Sequence, residues 1–388
     1  MLHAHVESDT TVLGKVTTKM LPQSPGPRTS NILLLDAIPE EALERLKKTF
    51  GGVHESFEPL PEGQLARLVS EYQVVLLSRE SSDCILTKEV LQSAHRLLAV
   101  GFFGILTNQV DTATANAMGI PVFTAPYQQQ NSICEMVIAL IVLLSRQIGD
   151  RSIENHKGIW NKTSTNCHEV RGKTLGIVGY GHAGSQLGVM AEALSLRVVF
   201  YDRLGLMPIG RAQPMESMEK LLETSDFVSL HIASTSDNDL MFGAEQFAKM
   251  KQGSYLINTS HCSAVDLTAL ENGLRSERLA GCALDVFPTS DPAAFATLSE
   301  MRNVILTPSI AANTVEACGR KTHEVSTCIE RYLRDGTTTG SLDFPNVIGR
   351  PLSQGICRIA CIHKNVRGVL RVYAYSFRKS TIFCLLTM

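Results

Sequence analysis

Three glycines in the middle of the chain have the spacing of a turn that could hold a dinucleotide. Gly179, Gly181 and Gly184 follow an apolar segment, Leu175–Val178, and precede a segment with helical character. The first glycine permits a tight turn, the second lets the backbone approach a pyrophosphate, and the third lets helix and strand pack closely. The N-terminus of the helix would offer free N–H groups and the positive end of its dipole to phosphates.

An acidic residue lies at the distance that the same chemistry requires. A second apolar segment, Arg197–Tyr201, ends on Asp202. A carboxylate at that position can accept hydrogen bonds from both ribose hydroxyls, whereas it would repel a 2′-phosphate. The combination predicts NAD as the cofactor in preference to NADP. The alternative is a glycine turn that only serves packing, and the strand, helix and acid around the glycines favour the cofactor.

Apolar segments alternate with helical segments along most of the chain, which predicts parallel sheets with helices on both faces. Ser132 is predicted to be the N-cap of a long buried helix, with Glu135 completing a capping box. The predicted strands are residues 32–36, 74–77, 97–101, 120–123, 175–178, 197–201, 227–231, 255–258, 281–285 and 304–307. The predicted helices include residues 40–50, 132–146 and 314–334. Because the glycine turn lies in mid-chain, another α/β domain is expected before it.

Composition indicates an ordinary globular protein. The 388 residues are 44% hydrophobic and 19% charged, with a formal net charge of −2. No basic run favours nucleic acid or a membrane surface, and the apolar run Met136–Leu144 is about half of a membrane span. The ten cysteines are scattered, without CxxC pairs or spacing to histidine that would suggest a metal site. Free thiols in a reducing compartment, with cytoplasmic location as the default, are therefore expected.

Several longer stretches resemble the D-isomer-specific 2-hydroxyacid dehydrogenases, and within them the 3-phosphoglycerate dehydrogenase branch. The matching stretches are residues 101–111, 119–126, 158–162, 172–202, 228–231, 257–266, 283–289, 307–317 and 343–347. The resemblance covers residues 31 to about 347, and the runs TNQVD and GIWNK indicate the phosphoglycerate branch.

The resemblance implies an α/β fold of two doubly wound parallel-sheet domains. A Rossmann NAD-binding domain, residues 132–313, is inserted into a flavodoxin-like substrate domain made of residues 31–131 and 314–345. Residues 1–30 are expected to be a disordered leader. Residues 346–388 resemble the start of an ACT regulatory domain that is truncated. The resemblance also implies a homo-oligomer, a dimer or tetramer, and a small 2-hydroxy or 2-oxo acid as substrate.

The family's cofactor contacts transfer to ten positions. The pyrophosphate contacts would be Gly179, Gly181, His182, Ala183 and Gly184, with Asp202 at the adenosine ribose. His231 and Ala233 would lie in the loop after the fourth strand of the domain, and Thr259 and Asp285 near the nicotinamide. For Asp285, a strand-end acid that caps the next turn is the alternative.

The three side chains that the family uses for chemistry are all replaced. His261 stands in place of the arginine that binds the substrate carboxylate and carbonyl in a bidentate fork. Ser290 replaces the glutamate that supports the catalytic histidine, and Ser309 replaces that histidine itself. The family's phosphate-contacting arginine falls on Leu77, although Arg79 lies two residues further on.

These replacements leave the function open between alternatives. His261 could be a relocated base, although a histidine that is merely tolerated is favoured. The protein could be an NAD-dependent dehydrogenase with altered or weak catalysis. It could instead be a non-catalytic NAD(H)-binding protein that acts as a partner or sensor, or a decaying duplicate. The intact glycine motif argues against full decay.

Overall fold

The computed structural model describes residues 31–78, 84–105, 109–233, 238, 240–286 and 292–349, with the side chains of 292–294 excepted. Within them the chain forms two compact units. The first contains the described residues up to Pro126 and those from Cys318 onward, and the second is Tyr127–Ala317. The second unit is therefore inserted between two segments of the first. The predicted leader lies outside the described residues, as does the ACT-like tail beyond residue 349.

The first unit is built on a five-stranded parallel sheet in the order β2-β1-β3-β4-β5, which is the flavodoxin-like order. Its strands are β1 (Asn31–Leu34), β2 (Gly52–Glu55), β3 (Val74–Leu77), β4 (Ala99–Phe102) and β5 (Val122–Thr124). Its helices are α1 (Glu40–Phe50), α2 (Glu62–Ser70), α3 (Lys88–Ser93) and α4 (Thr112–Ala117), and most of α12 (Val315–Asp335) belongs to it.

Alternating residues of these strands fill two separate cores, one on each face of the sheet. Leu33, Val75 and Phe102 belong to one core, whereas Leu34 and Phe123 belong to the other. Because both faces are covered, the strands read as continuous apolar runs, as expected for a buried parallel sheet. The segment after α12 closes one edge of the sheet: Ser341 forms an antiparallel bridge with Phe123 of β5.

The second unit is built on a seven-stranded parallel sheet in the order β12-β11-β10-β9-β6-β7-β8. Its strands are β6 (Thr174–Val178), β7 (Arg197–Tyr201), β8 (Gln213–Pro214), β9 (Phe227–Leu230), β10 (Ser254–Asn258), β11 (Leu279–Leu284) and β12 (Val304–Leu306). Its helices are α5 (Gln130–Ser145), α6 (Ile148–His156), α7 (His182–Ala193), α8 (Met218–Thr224), α9 (Ala244–Lys249), α10 (Leu267–Arg275) and α11 (Pro292–Ser299). The strand order reverses between β6 and β9, as in a doubly wound dinucleotide-binding sheet.

The prediction of two doubly wound parallel sheets, Rossmann-type and flavodoxin-like, is confirmed. The predicted N-cap of the long buried helix is wrong. Helix α5 begins at Gln130 with Gln129 as N-cap, so Ser132 lies inside the helix. The Ser132 hydroxyl is 2.8 Å from the Thr314 hydroxyl instead of capping an N–H group of its own helix. Strand β2 was not predicted, because its residues alternate between exposed and half-buried at the sheet edge.

No single helix among the described residues is long and apolar enough to cross a membrane. Only the pair α5 and α6, bent by 67° at the break between them, passes the same criterion of length and composition. Helix α5 contributes Val137, Leu140, Ile141 and Leu144 to the core of the second unit, so burial in the protein accounts for its apolar composition.

Candidate functional site

The predicted cofactor residues gather at one edge of the second sheet. The glycine turn follows β6, Asp202 follows β7, His231 follows β9, Thr259 follows β10 and Asp285 follows β11. All five strands are parallel, so their carboxyl ends meet at the same edge. Ligands of open α/β sheets bind outside the carboxyl ends of the strands, where the strand order reverses. The glycine turn lies at that reversal, between β6 and β9.

Two of the three glycines are required by the fold itself. Gly179 has φ +91°, and a Cβ there would collide with the backbone oxygen of His231. A Cβ on Gly184 would collide with the backbone oxygen of Gly179 and approach the Ile177 side chain to 3.0 Å. Gly181 differs, since no atom lies within 4 Å of a Cβ at that position. The turn therefore leaves open space at its middle glycine, where a ligand could approach the backbone.

The turn leads directly into a helix that could receive phosphates. Helix α7 starts at His182 with Gly181 as N-cap, and no side chain caps its N–H groups. The first N–H groups of a helix lack partners within the helix, and its dipole favours negative charge there. His182 is exposed, Ala183 is half-buried and Gly184 is buried. The imidazole of His182 lies against the exposed ring of Tyr127, with 4.3 Å between ring centroids.

The Asp202 carboxylate is oriented by the glycine turn. Its Oδ2 accepts a hydrogen bond from the N–H of Tyr180 at 2.7 Å, and its Oδ1 accepts one from the N–H of Leu204 at 2.9 Å. A carboxylate has about four acceptor positions, so capacity remains for ribose hydroxyls. The open Gly181, the uncapped helix and this carboxylate fit an NAD molecule without a 2′-phosphate.

The loops after β9 and β10 are joined by one hydroxyl. Ser260 Oγ donates to Leu230 O at 2.5 Å and accepts from the N–H of Ile232 at 3.2 Å. The imidazole Nε2 of His231 is 2.9 Å from Ser229 Oγ, and loss of hydration lowers the pKa of His231 to about 4. His231 is therefore neutral at physiological pH, and its backbone oxygen packs on Gly179.

The remaining predicted contacts of these loops are less constrained. Ala233 is exposed, and its backbone oxygen accepts a hydrogen bond from Asn238 Nδ2 at 2.8 Å. Thr259 is half-buried, and its hydroxyl oxygen is buried without a hydrogen-bond partner among the described residues. Both residues lie in the predicted loops, and their contact with a cofactor stays a prediction.

His261 occupies a buried position. Its side chain is 4% exposed, and its Nδ1 is 3.0 Å from Ser263 Oγ within the same turn. Its backbone oxygen accepts a hydrogen bond from Asn258 Nδ2 at 3.0 Å. An imidazole held in its own turn lacks the reach and the forked donors of arginine. This geometry favours the tolerated histidine over the relocated base.

Asp285 makes hydrogen bonds to the loop that carries Ser309. Its Oδ1 accepts from the Thr307 hydroxyl at 2.6 Å and from the N–H of Ile310 at 2.9 Å, and its Oδ2 accepts from the N–H of Ala311 at 2.9 Å. The side chain is 2% exposed. These contacts support the alternative interpretation, an acid that caps the next turn, and leave about one acceptor position for a ligand.

Ser309 itself is exposed and has φ +57°, a left-handed conformation that is uncommon for residues other than glycine. Its N–H donates to the backbone oxygen of Asp285 at 2.7 Å. Ser290, the third replaced position, lies outside the described residues, and so does Arg79. Leu77 ends β3 in the core of the first unit, so its side chain contributes to packing.

Two contacts near the site were missed by sequence reasoning. Tyr127 precedes α5 and contacts His182 across a separation of 55 positions, which no local pattern could show. Ser260 lies within the matching stretch 257–266, but nothing in the sequence singles it out, because its hydroxyl bonds to backbone groups of another loop.

Comparison with known proteins identifies similar sequences and folds. Residues 138–311 match the domain described as "D-isomer specific 2-hydroxyacid dehydrogenase, NAD binding domain". The chain is 40% identical over 357 residues to D-3-phosphoglycerate dehydrogenase 2 of Saccharomyces cerevisiae, covering 88% of this chain and 75% of that protein. It is 41% identical over 345 residues to D-3-phosphoglycerate dehydrogenase of Dictyostelium discoideum, covering 88% and 84%. The crystal structure of D-lactate dehydrogenase with NAD+ from Lactobacillus jensenii shares the fold, with TM-score 0.66, 23% identity and coverage of 82% and 99%.

Proposed function

This chain belongs to the D-isomer specific 2-hydroxyacid dehydrogenase family and has its NAD-binding domain, and from that premise we propose its activity. The protein is an NAD-dependent oxidoreductase of the 3-phosphoglycerate dehydrogenase type whose catalysis is altered or impaired. Its substrate is a small 2-hydroxy or 2-oxo acid.

One contrast in the second unit carries this proposal. The cofactor turn retains its open Gly181 and the oriented Asp202 carboxylate, whereas His261, Ser290 and Ser309 have replaced the family's three chemical side chains. NAD, when bound, supplies the hydride acceptor. What the chain itself must add is a group that binds the substrate carboxylate and a group that moves the hydroxyl proton.

The replaced residues perform these tasks poorly. A positioned general acid or base contributes about 10² to 10⁴ in rate, and a serine such as Ser309 does not accept a proton near neutral pH. A charge-assisted hydrogen bond contributes roughly 1.5–3 kcal/mol, which the buried His261 does not supply in forked form. Positioning of two reactants alone still accelerates a reaction, so slow hydride transfer is the expected residual activity.

The direct test is NADH oxidation by the purified chain at high enzyme concentration, with 3-phosphohydroxypyruvate as acceptor. We expect slow turnover that depends on protein concentration. His261→Ala is the matched variant: activity that this substitution abolishes would make His261 the rebuilt proton-transfer group. Activity unchanged by it would leave positioning as the source of the rate. No turnover from folded chain that binds NADH would contradict the dehydrogenase assignment.

Restoring the lost side chains separates lost chemistry from a changed substrate domain. The triple variant His261→Arg, Ser290→Glu and Ser309→His should gain at least about 10²-fold in turnover, because the three residues act as a unit and single restorations recover little. The control is the same variant with Ser309→Ala in place of Ser309→His. A folded triple variant without gain would show that the substrate-binding residues of the first unit have changed as well.

The second candidate is a non-catalytic NAD(H)-binding protein that acts as a partner or sensor. The buried His261 and its hydrogen bond to Ser263 favour this candidate, because they leave the predicted substrate position without a forked cation. It predicts NADH binding without turnover on any 2-oxo acid. Cytoplasmic location and a homo-oligomeric state are proposed on the same family basis, and gel filtration with light scattering tests the latter.

A further inference from the structure

An exposed aromatic ring lies beside the first residue of the dinucleotide helix. Tyr127 is 55% exposed. Its ring centroid is 4.3 Å from that of the His182 imidazole, with the ring planes inclined at 51°. His182 is also exposed and is residue one of α7. The two rings therefore contact each other outside any core.

The packing of α5 on α7 fixes the position of the tyrosine. Helix α5 begins three residues after Tyr127, and the thiol of Cys134 in its first turns donates to the backbone oxygen of Ala183 at 3.3 Å. Burial raises the pKa of Cys134 to about 12, so the S–H group stays protonated and remains a donor. This contact joins the beginnings of the two helices, and Tyr127 lies just before the first of them.

The contact has a chemical consequence for the adjacent turn. A histidine at the exposed start of a helix samples several rotamers, and a ligand that fixes one of them must offset the lost entropy. A neighbouring ring removes part of that freedom before the ligand arrives.

We propose that Tyr127 is a positioning residue of the cofactor site, whose ring holds the His182 imidazole in place for the diphosphate of the dinucleotide. This inference rests on the NAD binding of the proposed function. The hydroxyl of Tyr127 has no part in it, since the ring makes the contact. Phenylalanine should therefore replace tyrosine without loss, whereas alanine should not.

The test is calorimetric titration of the full chain with NADH and ADP-ribose, which carry the diphosphate, and with adenosine, which lacks it. We expect Tyr127→Ala and His182→Ala each to weaken NADH and ADP-ribose binding about threefold to tenfold, which is the change in affinity that corresponds to the interaction energy of one aromatic pair. The double variant should bind no more weakly than His182→Ala alone. Tyr127→Phe should bind within about twofold of the native chain. Adenosine binding should be the same in all variants.

Three results would overturn the inference. The first is an unchanged NADH affinity in Tyr127→Ala. The second is that Tyr127→Ala weakens NADH binding by the same factor when His182 is already alanine. The third is that Tyr127→Ala weakens adenosine binding as much as it weakens NADH binding. The His182 imidazole proton signals provide a second readout, because they should shift in Tyr127→Ala and stay in place in Tyr127→Phe. A native chain that is folded but binds no NADH would overturn the proposed function, and the inference with it. A native chain that binds NADH while Tyr127→Ala is unaffected would overturn the inference alone.

Discussion

Replacing Asp285 by asparagine tests whether this carboxylate is what orders the loop that carries Ser309. The native carboxylate accepts three hydrogen bonds, two at Oδ1 and one at Oδ2. Asparagine can keep the two at Oδ1 through its carbonyl oxygen. Its NH2 group then faces the N–H of Ala311, which is 3% exposed and loses its acceptor. A lost charge-assisted bond costs roughly 1.5–3 kcal/mol and a buried unsatisfied N–H about 1–3 kcal/mol. Because these two costs partly describe the same loss, we expect the local opening free energy to fall by about 2–4 kcal/mol, less than their sum.

Hydrogen exchange of the peptide spanning residues 305–313 measures this directly. A loss of about 2–4 kcal/mol corresponds to roughly 30-fold to 1,000-fold faster exchange at the amides of Ile310 and Ala311. Thr307→Val is the matched control, since it removes one of the three bonds and should accelerate exchange by about tenfold. Unchanged exchange in Asp285→Asn, or an equal effect of both substitutions, would refute the idea that the Asp285 carboxylate orders this loop. In the restored triple variant, Asp285→Asn should also lower turnover, because residue 309 then loses its fixed position.

Three further substitutions probe the cofactor edge of the second sheet. Gly184→Ala should destabilise the protein by at least about 2 kcal/mol in urea unfolding, because its Cβ meets the Gly179 backbone. Gly181→Ala should not destabilise the protein, because a Cβ there meets no atom, but it should weaken NADH binding. An equal stability loss in both variants would be inconsistent with this geometry. Asp202→Asn removes the negative charge but keeps an oxygen acceptor, so the preference for NADH over NADPH should fall at least about tenfold. If paired titrations show the same ratio of NADH to NADPH affinity in the variant and the native chain, another group determines the selectivity. Burial lowers the pKa of His231 to about 4 in the folded state, against an ordinary 6.5. Its contribution to the free energy of unfolding should therefore be highest above pH 6.5 and fall by up to about 3 kcal/mol as the pH drops to 4. His231→Gln should remove this pH dependence in unfolding curves at pH 7 and 4.5, and a dependence that remains in the variant would exclude His231 as its source.

The sequence predicts the fold well because buried parallel strands appear in it as continuous apolar runs. Continuous apolar runs mark β1, β3 and β6, and the glycine spacing marks the turn after β6. The edge strand β2 has no continuous apolar run, because its side chains alternate between exposed and half-buried. The starting residue of a helix is harder to predict, because the side chain of a candidate capping residue can instead contact a distant part of the chain. Ser132 is a good capping residue by type, but its hydroxyl contacts Thr314, 182 positions away.

The site could be predicted in outline but not in its contacts. Motif spacing places Asp202 and Asp285 at strand ends, since the strands themselves are recognisable. Which hydrogen bonds these acids make depends on loops from other parts of the chain. Residues 307–311 surround Asp285, and that arrangement arises only from the pairing of β11 with β12. The burial of His261 could not be predicted either, because the sequence places it only after a strand and not among the residues that cover it.

The glycines of the turn do not carry equal weight as evidence for a cofactor. Gly179 and Gly184 are demanded by backbone packing alone, so a chain without any ligand would need them as well. At Gly181 the fold makes no such demand, because a side chain there meets no atom within 4 Å and the backbone is not left-handed. A residue that loses conformational entropy on folding and gains no packing is a net cost to stability. A ligand that comes close to the backbone explains its presence, so the NADH affinity of Gly181→Ala is the measurement that separates a retained cofactor site from a retained fold.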